Sequence, residues 1–290
     1  MKKYFVEGLY DDATATLTYV VYDESTRDAV VIDPVLDYET ASSKVSTESL
    51  DRLEAVIRKR DLKLHYCLET HAHADHLSGA QELKKRFPGM LLAIGERITQ
   101  VQNVFKKVYN LPEQFIPNGS QFDLLLKEGE KLKAGSIDVE VLFTPGHTPA
   151  CASYLIGDAV FTGDAIFMPD TGTGRCDFPA GSSEMLYRSI SEKLFRLPDS
   201  TRVFVGHDYK GAGTREARWE TSIGEQKRAN IQLKAETSKE DYVRMRDARD
   251  ATLSAPRLLL PSLQVNIDGG RLPEPEPNGT SHLKIPIRKR

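Results

Sequence analysis

Apolar residues along this chain fall into two kinds of run, and their alternation sets the expected elements. Short runs rich in β-branched and aromatic residues read as strands over Thr16 to Tyr22, Asp28 to Ile32, Leu64 to Glu69, Leu91 to Ile94, Phe122 to Leu126, Ile137 to Phe143, Cys151 to Ile156, Ala159 to Phe161 and Arg202 to Val205. The first two, separated by the polar stretch Asp23 to Arg27, predict an antiparallel hairpin ending at Asp33-Pro34, with a polar loop after it. Helical spacing predicts helices at about residues 47 to 60 (Leu50, Leu53, Val56, Ile57), over Ala80 to Arg86, over Ile98 to Lys107 and over Ser183 to Phe195 (Met185, Leu186, Ile190, Leu194). Elements that alternate between strand and helix indicate a sheet protein with helices outside.

The last part of the chain reads differently. Thr221 to Ala235 and Lys239 to Ala251 predict two charged amphipathic helices, with Ser238 and Asp241 as a variant capping box. Six of the 15 prolines then fall between Pro256 and Pro286. The apolar groups Leu258-Leu259-Leu260, Val265-Asn266-Ile267 and Leu283 to Ile287 exceed what a solvated tail carries, so an ordered arm is expected, packed on its own domain or on a second subunit. Lys289 and Arg290 read as solvated charges. The expected division is a catalytic domain over 1–235 and a C-terminal helix and Pro-rich arm over 236–290.

Composition narrows the classes. At 290 residues and 40% hydrophobic content the chain can bury a substantial core as one large domain or about two. With 39 basic against 42 acidic residues the net charge is −3, which favours neither nucleic acid nor an anionic membrane as partner. The apolar N-terminal run is broken by Glu7 and Asp11-Asp12, too soon for a secretory core, and no run is long enough to span a bilayer. Cys67, Cys151 and Cys176 are odd in number and widely spaced, which argues against a disulfide framework and for a reducing, cytoplasmic setting.

The chemistry is concentrated in turns that follow strands. Thr70-His71-Ala72-His73-Ala74-Asp75-His76-Leu77-Ser78-Gly79 puts three of seven histidines and an aspartate within six positions. His71 and His73 suit one metal, and Asp75 and His76 suit a second; imidazole and carboxylate are ligands that zinc, iron and manganese share. An aspartate or serine capping the next helix would not call for three imidazoles. Three more polar turns follow strands: Thr144-Pro145-Gly146-His147-Thr148-Pro149, Thr162-Gly163-Asp164 and Gly206-His207-Asp208-Tyr209.

His-x-His-x-Asp-His at 71 to 76, Gly-His-Thr at 146 to 148, Thr-Gly-Asp at 162 to 164 and Gly-His at 206 to 207 together resemble the metallo-β-lactamase superfamily over roughly residues 1 to 235. The resemblance implies an α+β fold, an αββα sandwich with the site at one edge between two sheets, here with a C-terminal helical and Pro-rich extension. In the hydrolases of the superfamily, glyoxalase II among them, His71, His73 and His147 would hold one zinc, and Asp75, His76 and His207 another, with Asp164 bridging. Gly172-Thr173-Gly174-Arg175-Cys176-Asp177-Phe178 and His207-Asp208-Tyr209 instead resemble the persulfide dioxygenase branch. That resemblance implies one Fe(II) per chain on His71, His147 and Asp164, with His73, Asp75, His76 and His207 supporting through hydrogen bonds. It also implies Arg175 and Tyr209 near the substrate, and glutathione persulfide and O2 as the small-molecule partners. Glutathione carries two carboxylates, which Lys210, Arg215 and Arg218 are candidates to meet. The alternative is a two-zinc hydrolase of glutathione thioesters. A homodimer is expected from the C-terminal arm.

Overall fold

The structure is a computed structural model that describes residues 4–287. The two terminal charges Lys289 and Arg290, and the first residues of the N-terminal run, lie outside the described residues. In chain order the elements are β1 (Phe5–Asp11), β2 (Thr16–Tyr22), β3 (Asp28–Ile32), β4 (Val35–Glu39), β5 (Lys44–Ser46), α1 (Glu48–Lys59), β6 (Lys63–Glu69), β7 (Leu77–Ser78), α2 (Ala80–Arg86), β8 (Leu91–Gly95), α3 (Ile98–Val108) and β9 (Leu124–Leu126). There follow β10 (Lys131–Ala134), β11 (Ile137–Phe143), β12 (Ala152–Ile156), β13 (Ala159–Phe161), α4 (Ser183–Arg188), β14 (Arg202–Phe204), the single turn α5 (Lys210–Gly213), β15 (Glu220–Ser222), α6 (Ile223–Ala229), α7 (Lys239–Asp250) and α8 (Leu259–Asn266).

Two six-stranded sheets face each other, ordered β1-β2-β3-β6-β8-β9 and β10-β11-β12-β13-β14-β15, and a small sheet β5-β4-β7 lies beside them. Strand periodicity explains the layering, because successive side chains leave opposite faces of a strand. Leu17, Tyr19 and Val21 of β2 and Val30 and Ile32 of β3 join Val139, Val141, Tyr154 and Phe161 in the core between the sheets. The intervening Val20, Ala29 and Val31 pack instead with Leu50 and Leu53 of α1, Leu83 of α2, Phe105 of α3 and Leu263 of α8. A third core lies behind the second sheet, where Val160 and Val203 meet Leu186 and Ile190 beside Tyr242 of α7. Each large side chain so buried contributes about 1.5–3 kcal/mol. The result is the expected αββα order of layers.

Several expectations are corrected. The polar loop after Asp33-Pro34 contains β4 and β5; β4 pairs with β7, Val35 opposite Ser78 and Leu36 opposite Leu77. The helix expected over Thr221 to Ala235 begins with a strand and ends at Ala229. Asn230 stops it: its Oδ1 accepts from the backbone N–H of Gln232 and of Leu233, a local turn that competes with the helix. Leu259–Asn266 is a largely buried helix, α8, with Pro261 in its first turn where no intrahelical N–H is needed. Beyond it the arm is anchored at Lys284, whose N–H and carbonyl both bond the Gln264 carboxamide, while Ile285 and Ile287 stay exposed. No helix among the described residues is long and apolar enough to cross a membrane.

Candidate metal centre

Four strand-end turns converge at one edge of the sandwich. The first sheet sends Thr70 to His76 from β6; the second sends His147 after β11, Asp164 after β13 and His207 after β14. Cross-sheet hydrogen bonds hold the turns in register: Tyr154 Oη donates to the Glu69 carbonyl at 2.7 Å, Ala152 N to the Thr70 carbonyl at 2.9 Å and Leu17 N to the Gly206 carbonyl at 2.9 Å. Two glycines are required by close approach. At Gly146 φ is +148° and a Cβ would lie 2.4 Å from Leu186 Cα, and at Gly174 a Cβ would lie 2.0 Å from the Asp164 carbonyl oxygen.

His71, His147 and Asp164 form one group whose donor atoms lie within 4.8 Å of one another. Thr70 Oγ1 donates to Asp33 Oδ2 at 2.7 Å and is 3.0 Å from His71 Nδ1, so it accepts the Nδ1 proton and leaves a lone pair on His71 Nε2. His147 Nδ1 likewise donates to the Arg175 carbonyl at 2.7 Å. Both Nε2 atoms then face Asp164 Oδ2, at 4.0 Å from His71 and 3.6 Å from His147, too far for hydrogen bonds. His71 Nε2 and Asp164 Oδ1 are buried without a hydrogen-bond partner. Burial, aided by His73 and His147, pushes the His71 pKa well down, so the ring is neutral and fit to coordinate.

His73, Asp75, His76 and His207 form a second group within the same span. Here the rings face carboxylates. His207 Nε2 is 2.9 Å from Asp75 Oδ2 and 3.3 Å from Asp164 Oδ1; burial alone would lower its pKa, but Asp164 and Asp75 raise it to about 9. His73 Nε2 is 3.1 Å from Asp33 Oδ1 and 3.3 Å from Glu69 Oε2, and its pKa is likewise raised against burial by Asp33. His76 Nδ1 is 3.5 Å from Asp75 Oδ1, and its pKa is lowered by burial and by His73.

Sequence reasoning passed over Asp33 and Glu69. Asp33 is 2% exposed, has a positive φ of 49°, and accepts from both Thr70 N and Thr70 Oγ1 at 2.7 Å while facing His73. A strained, buried carboxylate just after a strand is the kind of position that marks a site, but in sequence Asp33-Pro34 looks like any turn.

A cavity of about 520 Å³ opens onto Asp75, His147 and Asp164. Arg175 and Tyr209 line it. Arg175 is bound to Asp177 through Nε and Nη2, and its Nη1 donates to the Ser254 carbonyl at 2.8 Å. Tyr209, 48% exposed, stacks beside His207 at 6.0 Å between ring centroids. Arg249 and Arg257 also line the cavity and make no ion pair among the described residues; Arg257 Nη1 donates to Thr40 Oγ1 at 2.7 Å. Arg215 is spent on Asp170 and on buried Asp208, and Lys210 pairs with Asp12. Neither they nor Arg218 line the cavity. The cysteines are all free and buried.

Two packed sheets with helices outside and a histidine and aspartate cluster on the strand-end turns define a metal-site sandwich. The family described as the Metallo-beta-lactamase superfamily matches residues 11–207, and the chain belongs to it. The "Beta-lactamase hydrolase-like protein" of Xylella fastidiosa is 47% identical over 97% of this chain, which spans 64% of that protein's length. "Glyoxylase B2" of Dictyostelium discoideum is 47% identical over 94% of both chains. The human "Persulfide dioxygenase ETHE1, mitochondrial" is 33% identical over 70% of this chain and 68% of its own. Among solved structures, ETHE1 from Myxococcus xanthus superposes with a TM-score of 0.74 at 33% identity, covering 92% of this chain and all of that one.

Proposed function

We propose that this protein is a mononuclear non-haem Fe(II) persulfide dioxygenase that oxidises glutathione persulfide with O2 to sulfite and glutathione, with His71, His147 and Asp164 as the iron ligands. The observation that carries the reading is the bond from His147 Nδ1 to the Arg175 carbonyl, which joins the Gly-Arg-x-Asp-Phe loop to the two-histidine, one-carboxylate group. The donors suit iron: two imidazoles and a carboxylate leave positions open for other ligands, and His71 Nε2 and Asp164 Oδ1, like His73 Nε2 and His76 Nε2 beside them, are buried polar atoms without a hydrogen-bond partner, which an ion satisfies. Bound iron would supply the electronic access to O2 that a closed-shell persulfide lacks.

The chain's own residues supply the rest. His207 Nε2 lies 2.9 Å from Asp75 Oδ2 and 3.3 Å from Asp164 Oδ1, while Asp164 Oδ2 faces His71 and His147. Phe167 and Tyr209 form an apolar wall, and Arg249 and Arg257 are free to meet the carboxylates of a glutathione tail. In the overall reaction the S–S bond breaks, the terminal sulfur is oxidised, both atoms of O2 are reduced into sulfite, and one water is taken up as glutathione leaves.

A two-zinc hydrolase of glutathione thioesters is the second reading. It is favoured by the closeness of His73, Asp75, His76 and His207 and by relatives whose names are hydrolase-like or glyoxylase. Metal analysis beside an oxygen electrode separates the two. About one iron per chain and O2 uptake with glutathione persulfide is expected; two zincs, no uptake and thioester hydrolysis would overturn the dioxygenase.

A further inference from the structure

The C-terminal helix α8 packs Leu263 and Val265 into the core that holds Ala72, Ala74 and Leu77, and hydrogen-bonds the histidine turn through the side chain of Asn266. Asn266, 4% exposed, donates from Nδ2 to the carbonyls of both His73 and His76 at 2.8 Å, and its Oδ1 accepts from Ser78 N at 2.8 Å. Its orientation is unambiguous, because two partners are carbonyls that only accept and the third is an N–H that only donates. The turn from His71 to His76 has no regular backbone pairing of its own, so these buried carbonyls depend on partners from elsewhere. One planar carboxamide supplies two donors and an acceptor at once, and no side chain other than Asn or Gln can. The link continues inward: Ser78 Oγ donates to Glu69 Oε1, and the other oxygen of Glu69 faces His73 Nε2 at 3.3 Å. Gly270 N and Ile267 N tie back into α8, and Gln102 Nε2 grips the Ile267 carbonyl at 2.9 Å, so the helix end is itself held.

We propose that Asn266 is a positioning residue of the metal centre: its carboxamide sets the backbone of the His73 to Ser78 turn, and so makes the C-terminal segment a working part of metal binding. This rests on the reading that the turn binds metal, but not on which reaction follows. Ring placement passes through the backbone here, since a shift at the His73 and His76 carbonyls rotates the side chains that the same peptide units carry. Misplacing groups that orient metal ligands lowers metal affinity by about 10- to 100-fold.

The test compares the full-length wild type with Asn266→Asp, which keeps the size of the side chain but turns an oxygen toward the two carbonyls, and with Gln264→Ala, which removes a carboxamide on the same helix that bonds Leu260 and Lys284. Affinity is read by chelator competition, and ligand geometry by the visible spectrum of the Co(II)-loaded protein. Expected are an affinity loss of about 10- to 100-fold and altered Co(II) bands for Asn266→Asp, with Gln264→Ala like wild type. A folded Asn266→Asp protein with wild-type affinity and spectrum overturns the proposal. Should Asn266→Asp fail to fold, hydrogen exchange on the wild type decides, because coupling between metal and carboxamide is reciprocal. Metal loading is expected to slow exchange of the Ser78 amide, and an unchanged rate overturns the proposal. A wild type that takes two zincs sinks the dioxygenase and leaves this comparison intact.

Discussion

The two histidine groups at the sheet edge use the same residue types and differ in what stands behind each ring. Behind His71 and His147 are uncharged acceptors, the Thr70 hydroxyl and the Arg175 carbonyl, so each ring donates from Nδ1 and turns Nε2 inward. Behind His73 and beside His207 are carboxylates, Asp33 with Glu69 and Asp75 with Asp164, which draw protons onto those rings. A ring braced by a neutral oxygen is ready for a cation; a ring between carboxylates already holds one in the form of a proton. Ligand spacing alone does not distinguish the groups; the acceptors set His71 and His147 apart from His73 and His207, while His76, with its lowered pKa and unpartnered Nε2, resembles His71.

The sharpest way to break this comparison is to remove one ring from each group. His71→Ala is expected to abolish metal retention and O2 uptake, whereas His76→Ala costs only about 10- to 100-fold in metal affinity; equal losses on metal analysis would show that the groups act as one dinuclear centre. Next comes the charge behind His73. The double change Asp33→Asn with Glu69→Gln is expected to lower metal-free stability by about 1–3 kcal/mol through the weakened grip on Thr70 and His73, and to raise metal content above one ion per chain in zinc-supplemented protein. Unchanged stoichiometry would remove the carboxylates as the distinguishing feature.

Titration sharpens the same contrast. Because the pKa of His207 is raised to about 9, a second ion must displace its proton, so zinc binding beyond the first equivalent is expected to strengthen by up to about tenfold per pH unit up to that value. Binding of the first ion at His71, whose pKa is lowered, is expected to stay flat above neutral pH. In the metal-free protein the His207 proton stabilises the fold fully below the unfolded value of about 6.5, and that contribution is lost as pH rises through about 9. His71 acts oppositely, its contribution present above the unfolded value and eroding as pH falls. Isothermal titration across about pH 6 to 10 and melting extended down to about pH 4 measure both. The smallest effect is expected at the cavity mouth, where Arg249→Ala and Arg257→Ala each raise KM for glutathione persulfide by about three- to tenfold with kcat retained, the scale of a partly exposed charged contact. A fall in kcat at constant KM would place these arginines elsewhere in the cycle.

Much of this architecture is legible from patterning alone, and the exceptions have physical causes. β2, β3, β8 and β11 are short, strongly apolar runs, and the histidine turns follow strands at spacings no cap or loop requires. Helix α8 is hidden because it is buried on nearly every side and carries Pro261, so it shows neither an amphipathic stripe nor a helix-forming start. Asp33 and Glu69 are hidden because a carboxylate at a strand end reads as a turn residue until its burial is known. Asn266 lies 190 positions from His76, and Arg249 reads as one more charge on a charged helix. Such residues gain their meaning only from neighbours distant in the chain.

The turns of the centre come from both sheets, with β6 giving His71 and the second layer giving His147, Asp164 and His207. A cation bound there would tie two layers already joined by side-chain packing and by a few cross-sheet hydrogen bonds such as Ala152 N to the Thr70 carbonyl, and it would do so only after the layers have docked. Interactions that form late stabilise the finished fold without speeding its formation. On the proposed reading, resistance to proteolysis is therefore expected to follow metal supply through the rate of unfolding, with a metal-starved chain folding as fast as a replete one but persisting for less time.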